Sequence, residues 1–198
     1  MADHDQKRAC FLSAAANSDC APVPGNNTKA ENASASSRFR DEIVGLLPEL
    51  RAFSRFLSHD RVRADDLVQE AVMRALASRA QFDPSTNLKA WTFTILRNLF
   101  YEQGRRRKRE QAVLEQYGSG TRMNASPDAD SYQVSDLDSM LWQLSPLLRE
   151  ALMLVGAQEM SYDEAAVICG VAVGTMKARV SRARAALIAI RDCAVKDN

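Results

Sequence analysis

The chain has 198 residues, 46% of them hydrophobic and 26% charged, with a formal net charge of +1. That length holds one ordinary domain or two small ones, and the near-neutral balance excludes a chain that is a polycation throughout. No run approaches the ~18 apolar residues of a membrane span, and Asp3 and Asp5 stand where a signal peptide carries positive charge, so neither export nor membrane insertion is expected. Cys10, Cys20, Cys169 and Cys193 form no CxxC pair, and His4 and His59 are the only histidines. No metal and no cofactor are expected from such a set, and scattered thiols suit a reducing, cytoplasmic setting.

Residues 1–37 are rich in Ala, Ser and Asn, carry Pro22, Pro24 and Gly25, and show no period. They read as a disordered tail. Periodicity begins at Phe39 and continues through Ile43, Leu46, Leu50, Phe53 and Leu57, one apolar helical stripe in which Pro48 predicts a kink or a break. A second helix is predicted over about 64–79, with Ala64, Leu67, Val68, Ala71, Val72, Ala75 and Leu76 inward and Asp65, Asp66, Gln69, Glu70 and Arg74 outward. A loop over 82–87 follows, and Asn87 can cap a third helix starting near Leu88. That helix carries Trp91, Phe93, Phe100 and Tyr101 and leads into Arg105, Arg106, Arg107, Lys108 and Arg109. Aromatic faces with adjacent cations can hold single-stranded nucleic acid, although a domain this small needs most of its rings, Trp91 among them, as core.

Residues 111–135 have Gly118, Gly120 and Pro127 and little period, and read as a linker. Charge divides around it. From Lys89 to Arg109 there are seven basic residues and one acid, a balance of +6; from Glu110 to Met140 there are one base and six acids, a balance of −5. A basic surface beside an acidic tether points to a polyanionic partner.

The last third is helical again. Leu137, Leu141 and Leu144 suggest a short helix, and Ser145-Pro146 opens another with Leu148, Leu152 and Val155 as its stripe. Ser161-Tyr162-Asp163-Glu164 is a capping box, the helix it opens meets Gly170, and a longer helix follows with Val173, Met176, Val180, Ala183, Leu187 and Ile190 inward. A capped short helix, a glycine turn and a longer helix make a helix-turn-helix, whose second helix enters the major groove. Opposite its buried stripe lie Gly174, Ala178, Ser181, Arg182 and Ala185, flanked by Thr175 and Arg179 on one side and Lys177 and Arg184 on the other. Small residues let that face approach DNA, Arg182 suits a guanine edge, and the flanks suit phosphates. The plain alternatives are a solvated basic helix in a three-helix bundle and, for the 105–109 run, a basic tail.

Two segments, Asp66-Leu67-Val68-Gln69-Glu70-Ala71 and Lys89-Ala90-Trp91-Thr92-Phe93-Thr94-Ile95-Leu96-Arg97-Asn98, resemble region two of extracytoplasmic-function (ECF) sigma factors. The stretch from Leu144-Ser145-Pro146 to Glu150-Ala151, Ser161 to Ala166, and Gly174-Thr175-Met176-Lys177-Ala178-Arg179-Val180-Ser181-Arg182-Ala183-Arg184 resembles their region four. Asn87-Leu88-Lys89-Ala90-Trp91 and Leu154-Val155-Gly156-Ala157 are similar to the general-stress-response, EcfG-type members. Ala172 departs from the pattern, standing where many members have Ser or Pro, and the tail lies outside it.

The resemblance implies an all-α chain of two small helical domains. Region two occupies 38–110, the flexible acidic linker 111–135 and region four 136–198. It implies core RNA polymerase docked on Asp65, Asp66, Gln69 and Glu70. The promoter's minus-ten element would be held by Asn87, Lys89, Arg97, Arg105, Arg106, Arg107, Lys108 and Arg109. The minus-thirty-five element would be read by Thr175, Lys177, Ala178, Arg179, Ser181, Arg182 and Arg184. It also implies control by a NepR-like anti-sigma factor. No catalytic residue, small-molecule ligand or membrane contact is expected. A stand-alone helix-turn-helix regulator and a sigma-like anti-sigma decoy are the other readings.

Overall fold

The computed structural model describes residues 29–116 and 136–196, and no strand occurs among them. The expected disorder of 1–28 and most of the expected linker, 117–135, lie outside the described residues, as do His4, Cys10 and Cys20. Seven α-helices follow in order: α1 (Lys29–Ser58), α2 (Arg61–Ala77), α3 (Leu88–Gln116), α4 (Asp136–Gln143), α5 (Pro146–Leu152), α6 (Tyr162–Cys169) and α7 (Val173–Lys196).

Helix α1 begins nine residues inside the segment expected to be a tail. It also runs through Pro48 as one helix, so of the expected kink or break the break does not occur. Proline removes the N–H that would bond the carbonyl of Val44. Both residues are exposed, so water can take that carbonyl. Asp60 caps α2, its carboxylate accepting from the Arg63 N–H at 3.1 Å, which starts the helix earlier than its apolar stripe indicated. Leu76, expected inward, is 40% exposed, whereas Ala64, Leu67, Val68, Ala71 and Ala75 are buried. Asn87 caps α3 as expected, accepting from the Lys89 N–H at 2.9 Å. Helix α3 then continues through the basic run to Gln116, well into the predicted linker.

Two apolar clusters hold the helices. The smaller joins Phe39 and Ile43 of α1, Ala75 of α2, and Leu88 and Trp91 of α3, with Phe82 of the loop at its side. Trp91 is therefore core, its ring centroid 5.3 Å from Phe82 and 6.3 Å from Phe39. The larger begins with Phe53, fully buried and 5.1 Å from the Phe93 ring, and runs without interruption through Leu96 and Leu99 into Leu154, Ala165, Ile168, Met176 and Val180. The first three helices and the last three share this cluster, and α3 joins them: it packs on α1 and α2 with one side and on α6 with the other.

Three buried hydroxyls of α1 and α3 are answered by backbone carbonyls. Ser54 donates to the Ala64 carbonyl at 2.9 Å, and Thr92 and Thr94 to the carbonyls one turn back at 2.8 Å. A π-helical turn, Met153–Ala157, follows α5, and the Gln158 N–H closes it on the Met153 carbonyl. This turn delivers the chain to the start of α6.

Candidate nucleic-acid interface

The helix-turn-helix is built as its sequence dictates. The Ser161 hydroxyl accepts from the Glu164 N–H at 3.2 Å, and the Glu164 carboxylate accepts from the Ser161 N–H at 2.9 Å and its hydroxyl at 2.8 Å. Partial burial works to raise the Glu164 pKa, but these hydrogen bonds, with one from Asn87, hold it below the usual carboxylate value. Gly170 ends α6 in the left-handed region at φ 65°, and the Val171 N–H reaches back to the Ala166 carbonyl at 3.0 Å. A side chain there would be strained, which is why glycine makes the turn. Ala172 offers no side-chain cap, and only its carbonyl serves α7, accepting from Met176 at 3.1 Å.

Helix α7 buries Met176, Val180 and Ala183 and exposes Gly174, Ala178, Ser181, Arg182 and Ala185. Thr175, Lys177 and Arg184 are exposed on its flanks, and Arg179 is half-buried. Arg182 Nε makes one long contact, 3.3 Å, to the carbonyl of Ala178 on its own helix, so its guanidinium edge is free to turn outward. Lys177 Nζ lies 5.9 Å from the Tyr162 ring centroid. All seven residues expected to meet the upstream element thus lie on α7, six of them exposed.

The residues expected to meet the minus-ten element fall into two groups. Arg105, Arg106, Lys108 and Arg109 project from the exposed end of α3, and Arg107 is partly covered with Nε 3.4 Å from the Gln103 carbonyl. They wrap one full turn of α3 with cations, with Arg106 tied to Glu110 at 2.8 Å. Asn87, Lys89 and Arg97 are instead engaged by the last third of the chain. Arg97 donates to the two carboxylate oxygens of Glu150 at 2.7 and 3.3 Å. Lys89 pairs with Glu49 and donates to the Gln158 carbonyl at 2.8 Å. Asn87 donates to Glu164.

Sequence reasoning did not single out Glu150, which is 1% exposed and lies at the centre of this junction. Burial alone would depress the Arg97 guanidinium, but the Glu150 carboxylate outweighs it and leaves the pKa raised. Tyr101, whose hydroxyl reaches Glu150 at 3.4 Å, is pushed up by burial and by that same charge. Burial and Glu150 also push the Cys169 thiol up to about 12, so it is an inert core thiol. Trp142 is a second unforeseen contact: the Arg149 guanidinium sits 3.6 Å from its ring centroid on α4, and the His59 ring, at the end of α1, lies 4.0 Å away.

On α2, Asp66 and Gln69 are exposed and Asp65 is half-buried. Glu70 is tied into a lattice joining α2 to α3: Arg74 donates to it at 2.7 Å and to Glu102 at 3.1 Å, and Gln103 Nε2 donates to it at 3.0 Å. Exposed apolar side chains stand on the same helix, Val62 at 73%, Met73 at 70% and Leu76 at 40%. With Asp66 and Gln69 they recur at helical spacing and make a mixed apolar and polar face, for which the sequence pointed only to the acidic and polar residues Asp65, Asp66, Gln69 and Glu70. Among the described residues, no group of three or more His, Cys, Asp or Glu side chains is placed to hold a metal ion, and no helix is long and apolar enough to cross a membrane.

A helix-turn-helix with an open cationic face, set beside a second helical unit ending in a cationic turn, defines a two-part DNA-binding factor. The sequence comparisons give its family. Residues 43–110 match Sigma-70 region 2, and residues 135–187 match Sigma-70, region 4. The chain belongs to the ECF RNA polymerase sigma factors, and is a transcription initiation factor. It is 46% identical over 151 residues to the ECF RNA polymerase sigma factor EcfG of Rhodopseudomonas palustris, across 76% of this chain and 83% of that one. It is 33% identical over 142 residues to ECF RNA polymerase sigma factor SigC of Mycobacterium tuberculosis, across 69% and 74%. Among solved structures it is similar to sigma factor RpoE of Bartonella quintana, crystallised with the anti-sigma factor NepR. That match has 44% identity and a TM-score of 0.64, and covers 76% of this chain and 94% of the other.

Proposed function

We propose that this sigma factor directs core polymerase to two-part promoters of the general stress response and works in the cytoplasm with no catalysis of its own. The carrying observation is the outer face of α7, where small residues surround Arg182 and cations flank them with nothing covering the face. In this reading α7 enters the major groove of the minus-thirty-five element, Arg182 meets a base edge, and Lys177, Arg179 and Arg184 meet phosphates. Helix α3 and the loop over 82–87 hold the opened minus-ten element, with the 105–109 cations on the backbone. The exposed α2 face, Asp66 and Gln69 with Met73 and Leu76, docks on polymerase; Glu70 supports that face through Arg74 and Gln103.

The likeness to EcfG and to the NepR-bound factor supports regulation by a NepR-like anti-sigma protein. Such a partner would lay amphipathic helices against the exposed apolar and acidic surfaces. Transcription on a stress promoter with purified core polymerase, with and without a NepR-like protein from the same organism, tests this reading. It stands if the sigma factor starts transcription and the added protein stops it.

A further inference from the structure

We infer that the free sigma factor rests in a closed state in which its own region 4 occupies three of the minus-ten residues, Asn87, Lys89 and Arg97, Glu150 standing where a DNA phosphate would sit. This rests on the reading of Asn87, Lys89 and Arg97 as minus-ten contacts. Each of the three has a region 4 acceptor: the Glu164 carboxylate, the Gln158 carbonyl and the Glu150 carboxylate. The acceptors come from the start of α6, the residue after the π-helical turn, and α5, so one rigid surface presents them together. Oxygen acceptors facing cations are what a nucleic-acid backbone also offers, and a carboxylate accepting two guanidinium N–H groups copies the phosphate geometry. Arg97 cannot serve both at once, since only 15% of its side chain is exposed in this arrangement.

The chemistry of the junction suits a reversible closure. Apolar groups of α3 and α6 share the large core cluster, which holds the two parts together. The ion pair at its centre adds little net stability, because the cost of drying two charges offsets much of their attraction. Once opened, both Arg97 and Glu150 regain water. An ion pair therefore fixes how the closed state fits without making it hard to leave, whereas an apolar pair of the same size would be a stronger lock. Polymerase, by docking the two parts separately, would free Asn87, Lys89 and Arg97 only where they are used. Free factor would then be kept from single-stranded DNA elsewhere in the cell.

The test compares the full chain with Glu150→Gln, which keeps the shape and removes the charge. Small-angle scattering reads the opening, and fluorescence anisotropy reads binding of a labelled single-stranded DNA carrying the minus-ten element, without polymerase. The variant is expected to have a larger radius of gyration and to bind the oligonucleotide at least about tenfold more tightly, because closure would now bury the Arg97 charge without its carboxylate partner. Its transcription as assembled holoenzyme should stay within about twofold of the parent, since the parent is already open there. Circular dichroism checks folding; if the Gln variant is unfolded, Glu150→Asp, one methylene too short for the two-point contact, takes its place with the same expected direction. A folded variant with the parent's scattering and the parent's affinity overturns the closure. Arg97→Ala in holoenzyme separates the two claims: normal promoter opening by that variant overturns the minus-ten reading, whereas impaired opening beside an unchanged Glu150 variant overturns only the closed state.

Discussion

Arg182→Ala isolates the base-reading element of α7. Arg182 is exposed on the face opposite Met176, Val180 and Ala183, and its neighbours on that face, Ala178, Ser181 and Ala185, are too small to replace it. Before DNA arrives it makes only the 3.3 Å contact from Nε to the Ala178 carbonyl, long enough that giving it up costs little. Nearly the full value of a two-point contact to guanine, about 1–3 kcal/mol, is therefore available for discrimination. Its removal should weaken holoenzyme binding about 5- to 150-fold at promoters with the preferred base, and far less where that base pair is already wrong. A competition assay of holoenzyme against promoters varied one base pair at a time measures this. Arg179, half-buried at the flank, gives the contrast: Arg179→Ala should weaken every promoter alike. If the Arg182 variant keeps the parent's base preference at every position, α7 is seated in the groove on another face.

Four further outcomes follow from the other elements. Asp66→Arg with Met73→Asp should abolish polymerase capture in a pull-down while leaving the circular dichroism melt within about 1 kcal/mol of the parent, because both side chains are exposed; retained capture would place the docking face elsewhere. Replacing the 105–109 cations by Gln should flatten the salt dependence of open-complex formation, since fewer phosphates are neutralised, and equal slopes would show that the run is passive. Phe53→Ala should cost about 3–5 kcal/mol in urea unfolding, as a fully buried ring against Phe93 is lost, and a cost under about 1 kcal/mol would contradict that packing. Glu164, whose folded pKa is depressed, stabilises the fold above the ordinary carboxylate pKa and loses that effect as pH falls through the depressed value; the parent's advantage over Glu164→Gln should be full at neutral pH and vanish in acid, and a pH-independent difference would contradict the capping role.

The helix-turn-helix was legible almost residue by residue because its signals are local. Ser161 and Glu164 are three apart, Gly170 sits at the turn, and the α7 stripe repeats every three or four residues. Helix limits were less legible where two rules competed. Pro48 suggested a kink or a break, but the long helical stretches on either side and an exposed carbonyl let one helix run through it; the α2 start was set by Asp60, which lies before the apolar stripe begins. Leu76 followed the stripe of α2 yet remains exposed, because the stripe outlasts the surface it packs on. The junction between the two parts was not legible. Arg97 and Glu150 are 53 residues apart, and Asn87 and Glu164 are 77 apart. Glu150 lies off the Leu148, Leu152 and Val155 stripe and so reads as a solvent-facing acid; Arg97 and Tyr101 of α3 and Cys169 of α6 meet it only in the folded chain.

Run-off transcription with purified core polymerase on a template carrying both promoter elements tests the central claim most directly. The chain should convert core enzyme, which alone starts at no defined site, into one that produces a single transcript of fixed length. Mutating either element should remove that transcript. A chain that binds the duplex promoter tightly by itself and yields no such transcript with core polymerase would contradict the account.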